Sequence, residues 1–174
     1  MQLLLSSQQL KLTIRRLAHQ LTESNLDPSD IVFIGLQPRG KWLSNRIMEV
    51  MKEIMPDKSL LYGVLDITFY RDDFRDELHI PQETNLMISL EGKSVVLIDD
   101  VLYTGRTIRA ALDALQDFGR PKKVELCVLI DRRFNRELPI QPDYCGVAID
   151  TFTSQKVRID WEKEEAYVFE DGEK

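Results

Sequence analysis

Val95-Val96-Leu97-Ile98-Asp99-Asp100-Val101-Leu102-Tyr103-Thr104-Gly105-Arg106-Thr107 decides how this chain of 174 residues is read. Four apolar residues, three of them β-branched, run straight into two adjacent carboxylates. A strand that is apolar at successive positions is buried on both faces, as in a parallel sheet. A short loop follows, with Gly105 between Thr104 and Thr107, and then an amphipathic helix begins. Ligands of open α/β sheets bind beyond the carboxyl ends of such strands. There, backbone N–H groups and a helix N-terminus hold an anion, with the Thr104 and Thr107 hydroxyls as further donors. Two carboxylates beside an anion cradle repel a simple anion. They suit a ligand with phosphate at one end and hydroxyls or a metal at the other. Carboxylates accept hydrogen bonds from sugar hydroxyls and engage Mg²⁺ through water. The segment therefore describes a site for a phosphorylated sugar.

Outward from this stretch, strands and helices alternate. Leu10, Ile14, Leu17 and Leu21 recur at helical spacing. Asp27-Pro28-Ser29-Asp30 is a turn, and Ile31 to Leu36 reads as a buried strand. Leu43, Ile47, Val50 and Ile54 mark a second helix, stopped at Pro56. Leu60 to Tyr70 is strand-like, and the charged stretch Arg71 to Pro81 is expected to be mobile. A helix from about Thr107 to Phe118 ends at Gly119. Val124 to Ile130 is another buried strand, and Asp131 to Pro142 a polar loop. Tyr144 to Ile149, Lys156 to Ile159 and Ala166 to Phe169 are short strand candidates. The pattern predicts one α/β domain over residues 1–174, with a mainly parallel central sheet flanked by helices.

Composition narrows the class. The chain is 43% hydrophobic and 30% charged, as a globular domain with a core requires. No apolar run reaches membrane-spanning length, and Met1-Gln2 opens no signal segment. Cys127 and Cys145 lack metal-type spacing and read as reduced thiols, so a cytoplasmic protein is expected. A net charge of −6 disfavours unspecific binding to nucleic acid.

Gly35 to Lys41 offers a rival reading, since it fits G-x-x-x-x-G-K of a phosphate-binding P-loop. The acidic strand could then belong to a nucleotide hydrolase or kinase. Trp42 stands where a hydroxyl should meet Mg²⁺, and the Thr104 to Thr107 loop is left without a role. Trp42 is expected instead to pack in the core beside Leu43.

The thirteen residues quoted above closely resemble the phosphoribosyl pyrophosphate signature of type I phosphoribosyltransferases. The resemblance implies that family's fold, with a small hood contributed mainly by residues 131–174. It implies that Asp99 and Asp100 hold the ribose hydroxyls and reach Mg²⁺ through water. Val101, Leu102, Tyr103, Thr104, Gly105, Arg106 and Thr107 would then enclose the 5′-phosphate. Pro38, Arg39 and Gly40 fall in the loop that binds pyrophosphate in the family. Asp66 to Asp73 resembles the start of a loop that folds over the reaction centre, with Arg71 facing phosphate.

Asp131-Arg132, Arg136-Glu137-Leu138-Pro139-Ile140 and Asp143-Tyr144 narrow the resemblance to the bifunctional pyrimidine-operon attenuator and uracil phosphoribosyltransferase proteins. It covers nearly the whole chain. It implies UMP synthesis from uracil, with Asp131, Arg132, Arg133 and Phe134 at the base, and a homo-oligomer, dimer or higher. It also implies a second class of function, binding of a pyrimidine-operon leader RNA when UMP is present. Arg15, Arg16, His19 and Arg136 would form that face. Leu12, Ser24, Gln141 and Val147 are neutral where the family is basic, which weakens the RNA reading because each lost phosphate contact costs affinity.

Overall fold

Residues 1–25, 27–70, 86–170 and 172 are described by the computed structural model. The expected mobile loop over 71–81, with Arg71, lies outside them.

Five parallel strands form the central sheet in the order β3-β2-β4-β5-β6. They are β2 (Ile31–Leu36), β3 (Leu61–Leu65), β4 (Ser94–Leu102), β5 (Lys123–Arg133) and β6 (Tyr144–Asp150). All six residues of β2 are buried, as expected of a strand covered on both faces. Alternate side chains enter two cores. Phe33, Val96, Ile98, Cys127 and Leu129 pack towards α1 (Ser7–Ser24) and α2 (Gly40–Ile54), which contribute Leu10, Ile14, Leu17, Leu43, Ile47 and Met51. Val32, Ile34, Val95, Leu97, Leu126 and Val128 pack towards α3 (Arg106–Leu115). Small residues Ala110, Ala111 and Ala114 form the buried stripe of α3, so its backbone lies close to the sheet.

A second sheet is antiparallel and three-stranded, in the order β1-β8-β7. It joins β1 (Gln2–Leu5) to β8 (Glu165–Glu170) and β7 (Gln155–Asp160). Residues 144–150 belong to the large sheet, and Gln2–Leu5 completes the small one. The strand expected over Leu60 to Tyr70 stops at Leu65, and Thr68–Tyr70 is a turn of 3₁₀ helix. Asp66 accepts from the Thr68 N–H at 2.9 Å, and this turn at the strand end replaces further pairing. β5 runs to Arg133, so the polar loop begins later than Asp131. Among the described residues no helix is long and apolar enough to cross a membrane. Both cysteines are free.

Candidate active site

Parallel pairing brings the carboxyl ends of β2, β3, β4 and β5 to one edge. β4 carries both acids there. It continues through them to Leu102, so the loop that follows is shorter than expected and begins at Tyr103. The Leu102 side chain is buried in the α3 core, and only its backbone is available to a ligand.

Asp99 and Asp100 are both buried. The Asp100 N–H donates to Asp99 Oδ1 at 2.9 Å, and the Val101 N–H to Asp100 Oδ1 at 2.8 Å. Burial pushes the Asp100 carboxyl up from the ordinary range, while the Arg39 guanidinium and the Val101 N–H oppose the rise. Arg39 thus acts electrostatically on the acid pair from the loop between β2 and α2.

Gly40 fixes how closely that loop approaches. A Cβ there would lie 2.5 Å from the Ile98 carbonyl oxygen and 3.0 Å from Asp99 Cα. Only a glycine lets the start of α2 rest against the acidic strand. The Gln37 N–H donates to the Leu65 carbonyl at 2.9 Å, Gln37–Pro38 is a cis peptide, and Pro38 and Arg39 are exposed.

A cavity of about 250 Å³ opens beside Asp99. Its walls are Val101 to Thr107 and Glu137. Gly105, at φ +95°, precedes α3 and has no side chain to block its amino terminus. Backbone N–H groups and the helix dipole there favour an anion. Opposite it, Arg106 Nε meets Glu137 Oε2 at 2.7 Å. Sequence reading gave Glu137 no role, because nothing local links a residue of the later loop to α3.

The segment after β5 is where readings change. The Arg132 side chain is buried, unlike that of a residue facing an open base pocket. Its Nε donates to Thr151 Oγ1 at 3.0 Å and its Nη2 to the Gln155 carbonyl at 2.6 Å. The guanidinium lies 3.9 Å from the centroid of the Tyr103 ring. Arg136 donates to the Asp131 carboxylate and the Tyr103 carbonyl. Arg133 is exposed and pairs with Asp150 at 2.8 Å, while Phe134 is exposed at φ +68°.

On α1, Arg16 bends to the carbonyls of Cys145 and Gly146, Arg15 stands 3.9 Å from Glu53, and His19 is exposed. Trp42 is a further correction. It is 53% exposed, on the outer face of the first turn of α2, while Leu43 alone enters the core.

The phosphoribosyl transferase domain family matches residues 2–163. The bifunctional protein PyrR of Halalkalibacterium halodurans is 46% identical over 159 residues, 89% of this chain and 87% of that protein. The bifunctional protein pyrR of Enterococcus faecalis is 44% identical over 158 residues, 88% of this chain and 86% of that one. The chain belongs to the PyrR family of phosphoribosyltransferase-domain proteins. A hypoxanthine phosphoribosyltransferase structure from Staphylococcus aureus shares the fold at TM-score 0.68. With 22% identity over 85% of this chain and 77% of that one, it speaks for the fold alone. In PyrR terms, the acidic strand, the Gly105 loop and the Gly40 loop form one continuous edge.

Proposed function

We propose that this PyrR protein makes UMP and pyrophosphate from uracil and phosphoribosyl pyrophosphate. One observation carries the reading. Gly40 seats the loop of Arg39 directly on Asp99, beside the cavity at Gly105. Cation, carboxylates and anion cradle then follow the order pyrophosphate, ribose, 5′-phosphate along one ligand.

Asp99 and Asp100 hold the ribose hydroxyls. The loop Tyr103 to Thr107 holds the 5′-phosphate, and Pro38, Arg39 and Gly40 face the pyrophosphate. Uracil nitrogen attacks C1 as pyrophosphate departs from the opposite side, through an oxocarbenium-like transition state. No covalent nucleophile is needed. The protein orients both ligands and balances the charge that moves to the leaving group. Main-chain groups of 131–134 suit a pyrimidine edge, which shows donors and acceptors alternately. Arg71 adds a cation from the segment after Tyr70.

Among the described residues no three His, Cys, Asp or Glu side chains gather into an ion cage. The adjacent carboxylates fit a Mg²⁺ that keeps its waters and rides on substrate phosphates. When bound, Mg²⁺ supplies charge neutralisation at the pyrophosphate. Uracil, phosphoribosyl pyrophosphate and UMP are the ligands in this reading, and a cytoplasmic homo-oligomer, dimer or higher, is the working form.

Pyrophosphate release with each nucleobase in turn tests the reading. Uracil is expected to give the highest kcat/KM. Preference for hypoxanthine or orotate would refute the base assignment while leaving the sugar site standing.

The word bifunctional in the relatives' names favours a second activity, and the resemblance of the sequence points to UMP-dependent binding of pyrimidine-operon leader RNA. Titration of that RNA with and without UMP tests it. Equal, weak binding in both arms would leave catalysis as the sole activity.

A further inference from the structure

Residues 131–134 are expected at the base, yet three polar side chains of 131–140, those of Arg132, Arg136 and Glu137, reach the phosphate loop. Tyr103 is held on two sides. Its ring lies under the Arg132 guanidinium at 3.9 Å, and its carbonyl accepts from Arg136. The next carbonyl, of Thr104, accepts from the Glu137 N–H at 3.0 Å and the Leu138 N–H at 3.2 Å. Gly105 then packs against the same segment, since a Cβ there would lie 3.2 Å from Ile140 Cδ1 and 3.4 Å from Leu138 Cβ. Arg106 closes the run with its ion pair to Glu137. Four consecutive residues of the loop, Tyr103 to Arg106, therefore rest on residues 132–140.

Both arginines are themselves anchored. Arg136 is tied to the Asp131 carboxylate at the end of β5. Arg132 is tied to Thr151 and to the carbonyls of Phe152 and Gln155, in the connection to β7. A buried guanidinium with this many fixed partners is a rigid strut, because its planar fork loses little freedom on bonding. Neither side chain lines the cavity next to Asp99.

We infer that Arg132 and Arg136 are positioning residues for the 5′-phosphate, acting through Tyr103, while main-chain groups of the same segment meet the base. The inference rests on the phosphoribosyl pyrophosphate site proposed above. It has a thermodynamic corollary. A base that shifts 131–134 shifts the strut on Tyr103, so base and phosphate sites are coupled, each changing the other's affinity by the same factor.

Steady-state kinetics with uracil and phosphoribosyl pyrophosphate, both varied, separate the roles. Arg136→Gln, Arg132→Gln and Tyr103→Leu are each expected to raise KM for phosphoribosyl pyrophosphate about tenfold, the scale of one lost charge-assisted contact. KM for uracil should stay within about twofold, a margin well below one such contact. Arg132→Lys should rescue little, because an ammonium cannot reproduce the stacked fork. A rise confined to KM for uracil, or parameters equal to wild type in all three variants, would overturn the inference. Should Arg132→Gln fail to fold, as read by its unfolding transition, Arg136→Gln and Tyr103→Leu decide the matter. A wild-type protein inactive with every nucleobase, and blind to phosphoribosyl pyrophosphate in calorimetry, would instead overturn the underlying site.

Discussion

Asp100 shows how one residue can serve a site at the fold's expense. Burial raises its pKa above the ordinary value of 3.8, with Arg39 opposing. A carboxyl whose folded pKa is raised stabilises the fold below the unfolded value, and that contribution is lost as pH rises through the folded value. Asp100→Asn is therefore expected to unfold at a higher temperature than wild type at pH 7. The gap should shrink as the pH falls towards 4, and a scan at several pH values checks it. The same variant, like Asp99→Asn, should lose roughly 10²–10³-fold in turnover, as when one electrostatic stabiliser is removed. Wild-type rates in both variants would refute the assignment. Gly40→Ala is the steric counterpart. Its Cβ would meet backbone of β4 at 2.5 Å. We expect a loss of about 1–3 kcal/mol in a denaturant titration, the usual scale of overpacking. Binding of phosphoribosyl pyrophosphate should weaken as well. The acid pair and this glycine were legible because their meaning lies in a local pattern. Arg132 and Arg136 were not. A basic residue announces its charge, and only the tertiary structure says that Arg132 rests on Tyr103 and Thr151 and that Arg136 reaches the Tyr103 carbonyl.

At the scale of elements, hydrophobic runs placed every strand of the central sheet, and helical spacing placed α1, α2 and α3. β1 was overlooked. Its four residues make sense only against β8, far along the chain, and no local periodicity encodes such a partner. The end of β5 was overlooked for a related reason. Asp131, Arg132 and Arg133 look like loop, but pairing with Ala148, Ile149 and Asp150 keeps them extended. The P-loop reading fails at this scale too. Gly35 lies within β2, where its missing Cβ admits Ser44 of α2. A glycine spent on strand–helix packing is not arching over phosphate. Phosphate release from Mg-ATP should therefore stay at background. Turnover abolished by Lys41→Ala would restore the rival. The expected burial of Trp42 was wrong because helical phase, not hydrophobicity, sets the facing: Leu43 and Ile47 point inward, and Trp42 falls outside that stripe.

For the whole molecule, the distribution of charge decides how RNA is met. Net charge is −6. Of the expected basic face, Arg136 is turned inward, Arg15 and Arg133 have acidic neighbours, and Arg16 is drawn onto β6 carbonyls. With these groups of the expected face engaged within the protein, the salt dependence of the proposed leader-RNA binding should be shallow. Between 50 and 200 mM salt the affinity should fall less than the ~10³-fold expected for six or more phosphate contacts. A filter-binding titration at both concentrations checks this, and a steeper fall would show a basic face larger than the fold displays. The small sheet brings one more consequence. β8 sits between β1 and β7, so among the described residues β1 pairs with a strand made long after it. On the ribosome, Gln2–Leu5 is made before Glu165–Glu170 and waits for it. The large sheet can assemble meanwhile, since its last strand ends at Asp150. A nascent chain arrested in between would carry a finished central sheet and a loose β1 without β8 to pair with, a target for chaperone or protease until Glu165–Glu170 follows.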